Sequence, residues 1–173
     1  KSASEVSREY ILEMNEDPAA PLLSVYGGKI TTFRSLAEKA ANKIVATLNK
    51  GSGAWTAKAP LQGGEAVANF NTFYKAFRRE YNWLPEAMAL RFAHYYGTRA
   101  REILRGFKRM SDLGDHFGDN VYACEINYLV NVEWALTLED ILWRRTKLGL
   151  HVSEDAQKKI ELFLKEKFAA KAV

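Results

Sequence analysis

The sequence predicts a mainly α chain in three parts: a small strand-turn-strand-helix segment over residues 1–50, a linker over 51–64, and a helical bundle over 65–173. Three observations carry this expectation. A period of two is confined to the residues before Gly27, a helical period begins after Gly28 and dominates beyond the linker, and "NKGSGAWTAKAPLQGGE" between them has Gly, Ser and Pro with no period.

Taken in order, Val6, Tyr10, Leu12 and Met14 fall on alternate positions, as in a strand. "NEDPAAP" supplies turn chemistry, and "LLSVY" is a short apolar run that reads as a second, more buried strand. Phe33, Leu36, Ala37, Ala40, Ala41, Ile44, Val45 and Leu48 then recur at steps of three and four, predicting a helix from about Thr31 to Leu48 with one apolar face. After the linker, Phe70, Phe73, Tyr74 and Phe77 form an aromatic stripe. Pro85 suits a helix start, with Met88, Phe92, Tyr95 and Tyr96 on one face and Gly97 as the stop. Thr98 is placed to cap a helix bearing Ala100, Ile103, Leu104 and Phe107, and "SDLGDHFGDN" reads as a loop before a helix bearing Tyr122, Ile126, Leu129 and Val130. Thr137 and Asp140 have the spacing of a capping box, and Ser153 suits the cap of a last helix carrying Ala156, Ile160, Phe163, Leu164 and Phe168. Aromatic stripes at this spacing are assigned to packing.

Composition narrows the function. Hydrophobic residues make up 47% and charged residues 27% of 173 residues, which excludes disorder and fibrous repeats. No apolar run approaches the roughly 20 residues of a membrane-spanning helix. The chain starts at Lys1 with no signal peptide and is expected to be excised from a longer one. Cys124 is the lone cysteine, which fits a reducing compartment and a cytoplasmic location, and it reads as a small buried side chain. His94, His116 and His151 lie far apart with no ligand spacing, so no metal is inferred. The net charge of +4 does not call for nucleic acid, and the aromatics sit at core-facing spacings, so no nucleic-acid partner is expected.

The chemistry lies in "SVYGGKITTFRSL", residues 24–36. Gly27 and Gly28 allow a positive φ or a close backbone approach. Ile30, Thr31 and Thr32 would present free N–H groups at a helix start, where the dipole favours negative charge. Lys29 adds a mobile cation and the threonines add hydroxyls, so the turn can stabilise a phosphate, a carboxylate or an electron-rich carbonyl. An ordinary capped strand-to-helix turn explains the same pattern equally well. Neither the P-loop spacing nor the G-x-G-x-x-G dinucleotide fingerprint occurs.

"PLLSVYGGKITTFRSLAEKA" resembles the last flavin-contacting segment of the FAD-dependent, respiratory glycerol-3-phosphate dehydrogenases. "WLPEAMALRFAHYYGTRAREIL", "DLGDHFG" and "EWALTLEDILWRRTKLGL" resemble the helical C-terminal domain of that family, in the same order. The resemblance covers nearly the whole chain and leaves out the N-terminal half with the glycine fingerprint. It implies that residues 1–50 are the end of a flavin-binding domain. It also implies that Gly27, Gly28, Lys29, Ile30, Thr31 and Thr32 contact FAD, and that Lys29 lies near the flavin or the substrate phosphate. The implied reaction is oxidation of sn-glycerol 3-phosphate to dihydroxyacetone phosphate, with electrons passing through FAD to quinone. The implied partners are the N-terminal flavin-binding half, glycerol 3-phosphate and quinone; the chain alone is expected to be inactive and to retain no FAD.

Arg34 is expected to pair with a neighbouring carboxylate, and Asp140 with Arg144, beside an inward-packed Trp143. Arg91, Arg99, Arg101, Arg105, Lys108 and Arg109 face a single acid, Glu102, between residues 91 and 109. A solvated helix face is the default reading of that stripe, and an anionic membrane surface, with the chain peripheral on the cytoplasmic membrane, is the sharper one. The alternative to the enzyme reading is a non-catalytic helical interaction or membrane-docking module whose glycine turn is structural.

Overall fold

The computed structural model describes residues 9–169 apart from 16, 18 and 66. It divides into two compact units, one up to Pro60 and one from Leu61 onward.

In the first unit, β1 (Ile11–Met14) pairs antiparallel with β2 (Leu23–Tyr26), with Ile11 opposite Tyr26 and Met14 opposite Leu23. Asn15 closes the loop between them. Its side chain donates to Ala20 O at 3.2 Å and accepts from Leu22 N at 2.6 Å, while its own N–H donates to Leu22 O at 3.0 Å. Val6, expected in the first strand, lies outside the described residues, and Tyr10 precedes the strand. β2 is not the buried strand expected: Val25 and Tyr26 are exposed. A 3₁₀ turn at Ile30–Thr32 leads into α1 (Phe33–Leu48), which ends at Asn49 in the left-handed conformation, φ 51°.

The apolar face of α1 is present in sequence, yet none of its residues is buried, and Phe33, Ile44 and Leu48 are all exposed. An amphipathic helix normally gains its stability by burying such a stripe. Here the first unit supplies too little of its own surface to cover it. Arg34 pairs with Glu38 at 3.1 Å as expected, and both meet Thr56, whose hydroxyl donates to Glu38 at 2.5 Å and accepts from Arg34 at 3.0 Å. The stretch after α1 is thereby tied back to it.

The second unit is helical around one core. Asn69 caps α2 (Phe70–Glu80), accepting from Thr72 N at 3.2 Å, and Phe73 and Phe77 are buried. Pro85 precedes α3 (Glu86–Tyr96), which buries Met88, Phe92 and Tyr96, leaves Tyr95 exposed, and stops at Gly97, φ 54°. α4 is short, Ala100–Ile103, and ends ahead of the Gly106 turn, so Leu104 is buried from beyond the helix and Phe107 packs from a loop. Thr98 does not cap it. The Thr98 hydroxyl donates instead to Glu65 at 2.7 Å.

The expected loop before α5 contains a hairpin. β3 (His116–Gly118) and β4 (Val121–Tyr122) pair antiparallel, and Asp119 and Asn120 both have positive φ, 51° and 59°, as a two-residue hairpin turn of matching twist requires. Tyr122 therefore belongs to β4, and α5 (Ala123–Asn131) begins after it. Asp119 also accepts from Ser153 N at 2.7 Å and from its hydroxyl at 2.9 Å, joining the hairpin to the start of α6 (Glu154–Ala169). Ser153 caps that helix at Ala156 N as expected. Phe77, Met88, Phe92, Leu104, Ile126, Leu129, Ile141 and Ile160 are the fully buried centre.

The Thr137–Asp140 capping box forms in full: Asp140 N donates to Thr137 Oγ1 at 3.1 Å and Thr137 N to Asp140 Oδ2 at 3.0 Å. It opens a π-helical segment, Asp140–Arg145, in which Arg144 binds Asp140 at 2.8 Å. Trp143 does not pack inward as expected. It is 43% exposed, and its ring lies on Gly149, where there is no room for a Cβ.

Asp140 is held far below the usual carboxylate range by the Leu136 N–H first, then by Arg144 and the Thr137 N–H. A depressed folded-state value contributes stability that is present above the unfolded value of about 4 and is lost as pH falls. Acid unfolding of the wild-type chain should accordingly steepen below about pH 4, and Asp140→Asn should flatten that limb while lowering stability at neutral pH. Circular dichroism melts across pH 2.5–7 check this; parallel curves for the two proteins would contradict it.

Candidate functional site

The glycine turn sits between β2 and the 3₁₀ start of α1. Gly27 and Gly28 have φ of 71° and 117°, values that side chains with a Cβ rarely adopt. A Cβ on Gly27 would come within 3.0 Å of the Glu9 carbonyl, and one on Gly28 would touch Leu36 at 3.5 Å. Both glycines are thus required by the path of the backbone, which reverses out of the strand and delivers Lys29 to the surface.

Lys29 is extended, φ −115° and ψ 145°. Its carbonyl accepts from Thr32 N at 3.0 Å and from the Thr32 hydroxyl at 2.9 Å, and its N–H lies 3.4 Å from the same hydroxyl. This corrects one expectation. The Thr32 N–H is already satisfied inside the turn, so two of the three expected amide donors remain: among the described residues, Ile30 N–H and Thr31 N–H meet no acceptor. Ile30 is 90% exposed and Phe33 is exposed beside it. Two free amides, a lysine ammonium and a threonine hydroxyl at one exposed turn, next to an aliphatic and an aromatic side chain, form a donor set suited to a planar heterocycle with electron-rich oxygens or to a phosphate. The residues present therefore fit an FAD contact segment.

The groove beside the turn has a volume of about 350 Å³ and is lined by Glu9, Tyr10, Lys29, Thr32 and Lys39. Sequence reading brought Lys29 and Thr32 together but missed Tyr10 and Lys39. Tyr10 has the spacing of a strand position, and nothing in the spacing of Lys39 signals that the fold returns it to the residues before β1.

The basic stripe of the second unit is largely neutralised. Arg91 binds Glu125 through both carboxylate oxygens at 2.5 and 2.8 Å and Asn120 O at 2.9 Å. Arg99 bonds Gln62 and pairs with Glu102, Arg101 pairs with Glu80, and Arg109 with Asp112. Among the described residues, that leaves the side chains of Arg105 and Lys108 as the unpaired cations of the stripe. The Cys124 thiol is pushed up to about 12, by burial first and by the Glu125 charge second, so it stays protonated at neutral pH.

The family described as the C-terminal domain of alpha-glycerophosphate oxidase matches residues 54–166. The glycerol-3-phosphate dehydrogenase of Pseudomonas aeruginosa is 44% identical over 164 residues, covering 93% of this chain and 32% of the relative. The D-erythritol 1-phosphate dehydrogenase of Brucella abortus is 43% identical over 152 residues, covering 87% and 30%. The alpha-glycerophosphate oxidase of Enterococcus casseliflavus is 31% identical over 150 residues, covering 83% and 23%. The chain thus spans about a third or less of the length of the curated relatives it matches. With more than half of its residues inside one family match, the chain belongs to the family of the C-terminal domain of alpha-glycerophosphate oxidase, the group of glycerol-3-phosphate dehydrogenases and oxidases that its motifs resemble.

Proposed function

We propose that this chain is the C-terminal portion of an FAD-dependent glycerol-3-phosphate dehydrogenase, which oxidises sn-glycerol 3-phosphate to dihydroxyacetone phosphate and passes electrons to quinone. The observation that carries the reading is the pair of amides, Ile30 N–H and Thr31 N–H, that meet no acceptor among the described residues, set beside Lys29 at an exposed turn within a chain of this family. FAD, when bound, supplies the hydride acceptor. Gly27, Gly28, Lys29, Ile30, Thr31 and Thr32 are the residues that would hold it. The two amides and the Lys29 ammonium lower the cost of negative charge placed against them, because fixed dipoles need no reorganisation when charge arrives. Thr32 keeps the turn closed through Lys29 and so fixes where those donors stand.

The exposed apolar face of α1 and β2 fits the same reading. Val25, Phe33, Ile44 and Leu48 would be covered by the upstream flavin-binding half, which removes their apolar surface from water. The helical unit then serves as a packed body joined to that half, in a protein of cytoplasmic location, peripheral on the membrane that holds its quinone.

The test is to express the intact enzyme and this chain separately. The intact enzyme is expected to purify yellow and to reduce a quinone analogue with glycerol 3-phosphate, and the chain alone to be colourless and inactive. A yellow, active isolated chain would contradict the assignment, as would an intact enzyme that binds no flavin.

A further inference from the structure

Trp134 stands in the left-handed region, φ 58°, and is 78% exposed. For a bulky side chain that conformation is strained, and it persists only where the surrounding structure imposes it. The imposing bonds are present. Ala135 is fully buried and its N–H donates to Leu129 O at 3.0 Å. The Tyr128 hydroxyl donates to Glu133 Oε1 at 3.1 Å, Arg145 Nε donates to Glu133 O at 2.5 Å, and Leu136 N donates to Asp140 Oδ2 at 3.0 Å. With Ala135 anchored between them, Trp134 and the 65% exposed Leu136 form a fixed apolar ridge that adds nothing to the core of the helical unit. Beside it runs a groove of about 550 Å³ between residues 136–139 and α6, walled by Leu136, Leu138, Leu164 and Phe168, with Glu139, Glu161 and Lys165 on its rim. Glu139 pairs with Arg144 at 2.8 Å, and Glu161 with Lys165 at 2.9 Å in an exposed i,i+4 pair that holds its carboxylate weakly. Arg145, next to the ridge, meets a main-chain carbonyl and, among the described residues, no carboxylate.

We propose that this face joins two copies of the enzyme about a two-fold axis beside Leu136, each Trp134 entering the groove of the other copy and each Arg145 meeting the other copy's Glu161. A two-fold interface needs one patch that is complementary to itself. Ridge and groove meet that condition, because they share Leu136 and so lie side by side on one face. A lipid surface would accept the tryptophan but has no side chain to fill the groove. Holding Trp134 rigid before contact removes the ordering cost of binding, and a buried tryptophan is the commonest anchor of a protein interface. The two insertions take about 300–500 Å² from the tryptophans and a comparable area from the grooves. With the facing Leu136 side chains the total approaches the roughly 1,200 Å² of the smaller stable interfaces. The inference stands independently of the dehydrogenase reading.

The experiment uses the intact enzyme as wild type, Trp134→Gly, Leu136→Ser and Glu161→Arg. It reads the association constant by sedimentation equilibrium, the melting temperature, the flavin content, and flotation with vesicles of phosphatidylglycerol and phosphatidylethanolamine. Glycine accepts φ 58° without strain. Trp134→Gly therefore keeps or raises the melting temperature while it weakens the pair by about thirtyfold. Leu136→Ser and Glu161→Arg, both at exposed positions, weaken it by smaller factors, the latter by setting a cation against Arg145. A wild-type enzyme that stays monomeric at every concentration overturns the proposal, as does a Trp134→Gly enzyme that pairs as tightly as wild type. Loss of flavin from Trp134→Gly with association unchanged assigns the ridge to the upstream half, and loss of flotation with association unchanged assigns it to lipid; each of these results also overturns the second copy as its occupant.

Discussion

Replacing Glu125 by alanine is expected to destabilise the helical unit by about 3–5 kcal/mol, the cost of leaving a buried charge without its partner. Glu125 is fully buried on α5, and Arg91 on α3 is 15% exposed. The carboxylate accepts two bonds from Arg91 and a third from the Tyr96 hydroxyl at 2.6 Å, while Arg91 also reaches Asn120 O in the hairpin turn. One carboxylate therefore fixes α3, α5 and the hairpin against each other. Burial, followed by the Glu125 charge, raises the Tyr96 phenol well above its ordinary value, so it stays a neutral donor to that carboxylate. Because the penalty comes from the orphaned guanidinium, removing both charges at once should cost less than removing one. Arg91→Leu with Glu125→Leu is expected to be more stable than Glu125→Ala. Urea denaturation of the three proteins decides it, and a Glu125→Ala loss under 1 kcal/mol would show that the network is not what secures these elements.

Lys29→Ala in the intact enzyme is expected to cut turnover or flavin affinity by about a hundredfold, the scale seen when a fixed electrostatic stabiliser is lost. The expectation follows from geometry. Lys29 is the cation of the turn itself, its carbonyl closes the turn through Thr32, and its side chain borders the groove shared with Tyr10 and Lys39. Alanine keeps the backbone bonds and removes the charge alone. Lys29→Arg should recover part of the loss, since charge is kept while the point-like ammonium is replaced by a wider fork. Unchanged kinetics and flavin content in Lys29→Ala would remove this residue from the site.

Local chemistry was legible where a short pattern decides the structure by itself. The Thr137–Asp140 box, the Ser153 cap and the Gly97 stop each depend on residues within one turn, and each forms. The β3–β4 hairpin escaped because strands of three and two residues carry no measurable period. The Asp119–Asn120 pair, whose residue types tolerate positive φ, was the signal that could have revealed it. Thr98 could serve equally as a cap or as a donor to a distant carboxylate, and Glu65, thirty-three positions away, won. α1 shows the reverse: its apolar stripe is plain in the sequence, yet the stripe alone does not say what covers it, and none of it is buried here. In the site, the glycines and Lys29 were visible as a linear run, whereas the loss of the Thr32 N–H to the Lys29 carbonyl and the approach of Lys39 to Tyr10 are products of backbone path and tertiary return.

In the proposed enzyme the Ile30 and Thr31 amides face a bound flavin. Hydrogen–deuterium exchange of the intact enzyme, read by mass spectrometry on peptides spanning residues 26–33 with and without FAD, tests this directly. Slowed exchange at Ile30 and Thr31 on adding FAD is the predicted result, with the Thr32 amide, already bonded to Lys29, changing least. Equal exchange at these amides in the two states, with protection appearing elsewhere in the enzyme, would contradict it.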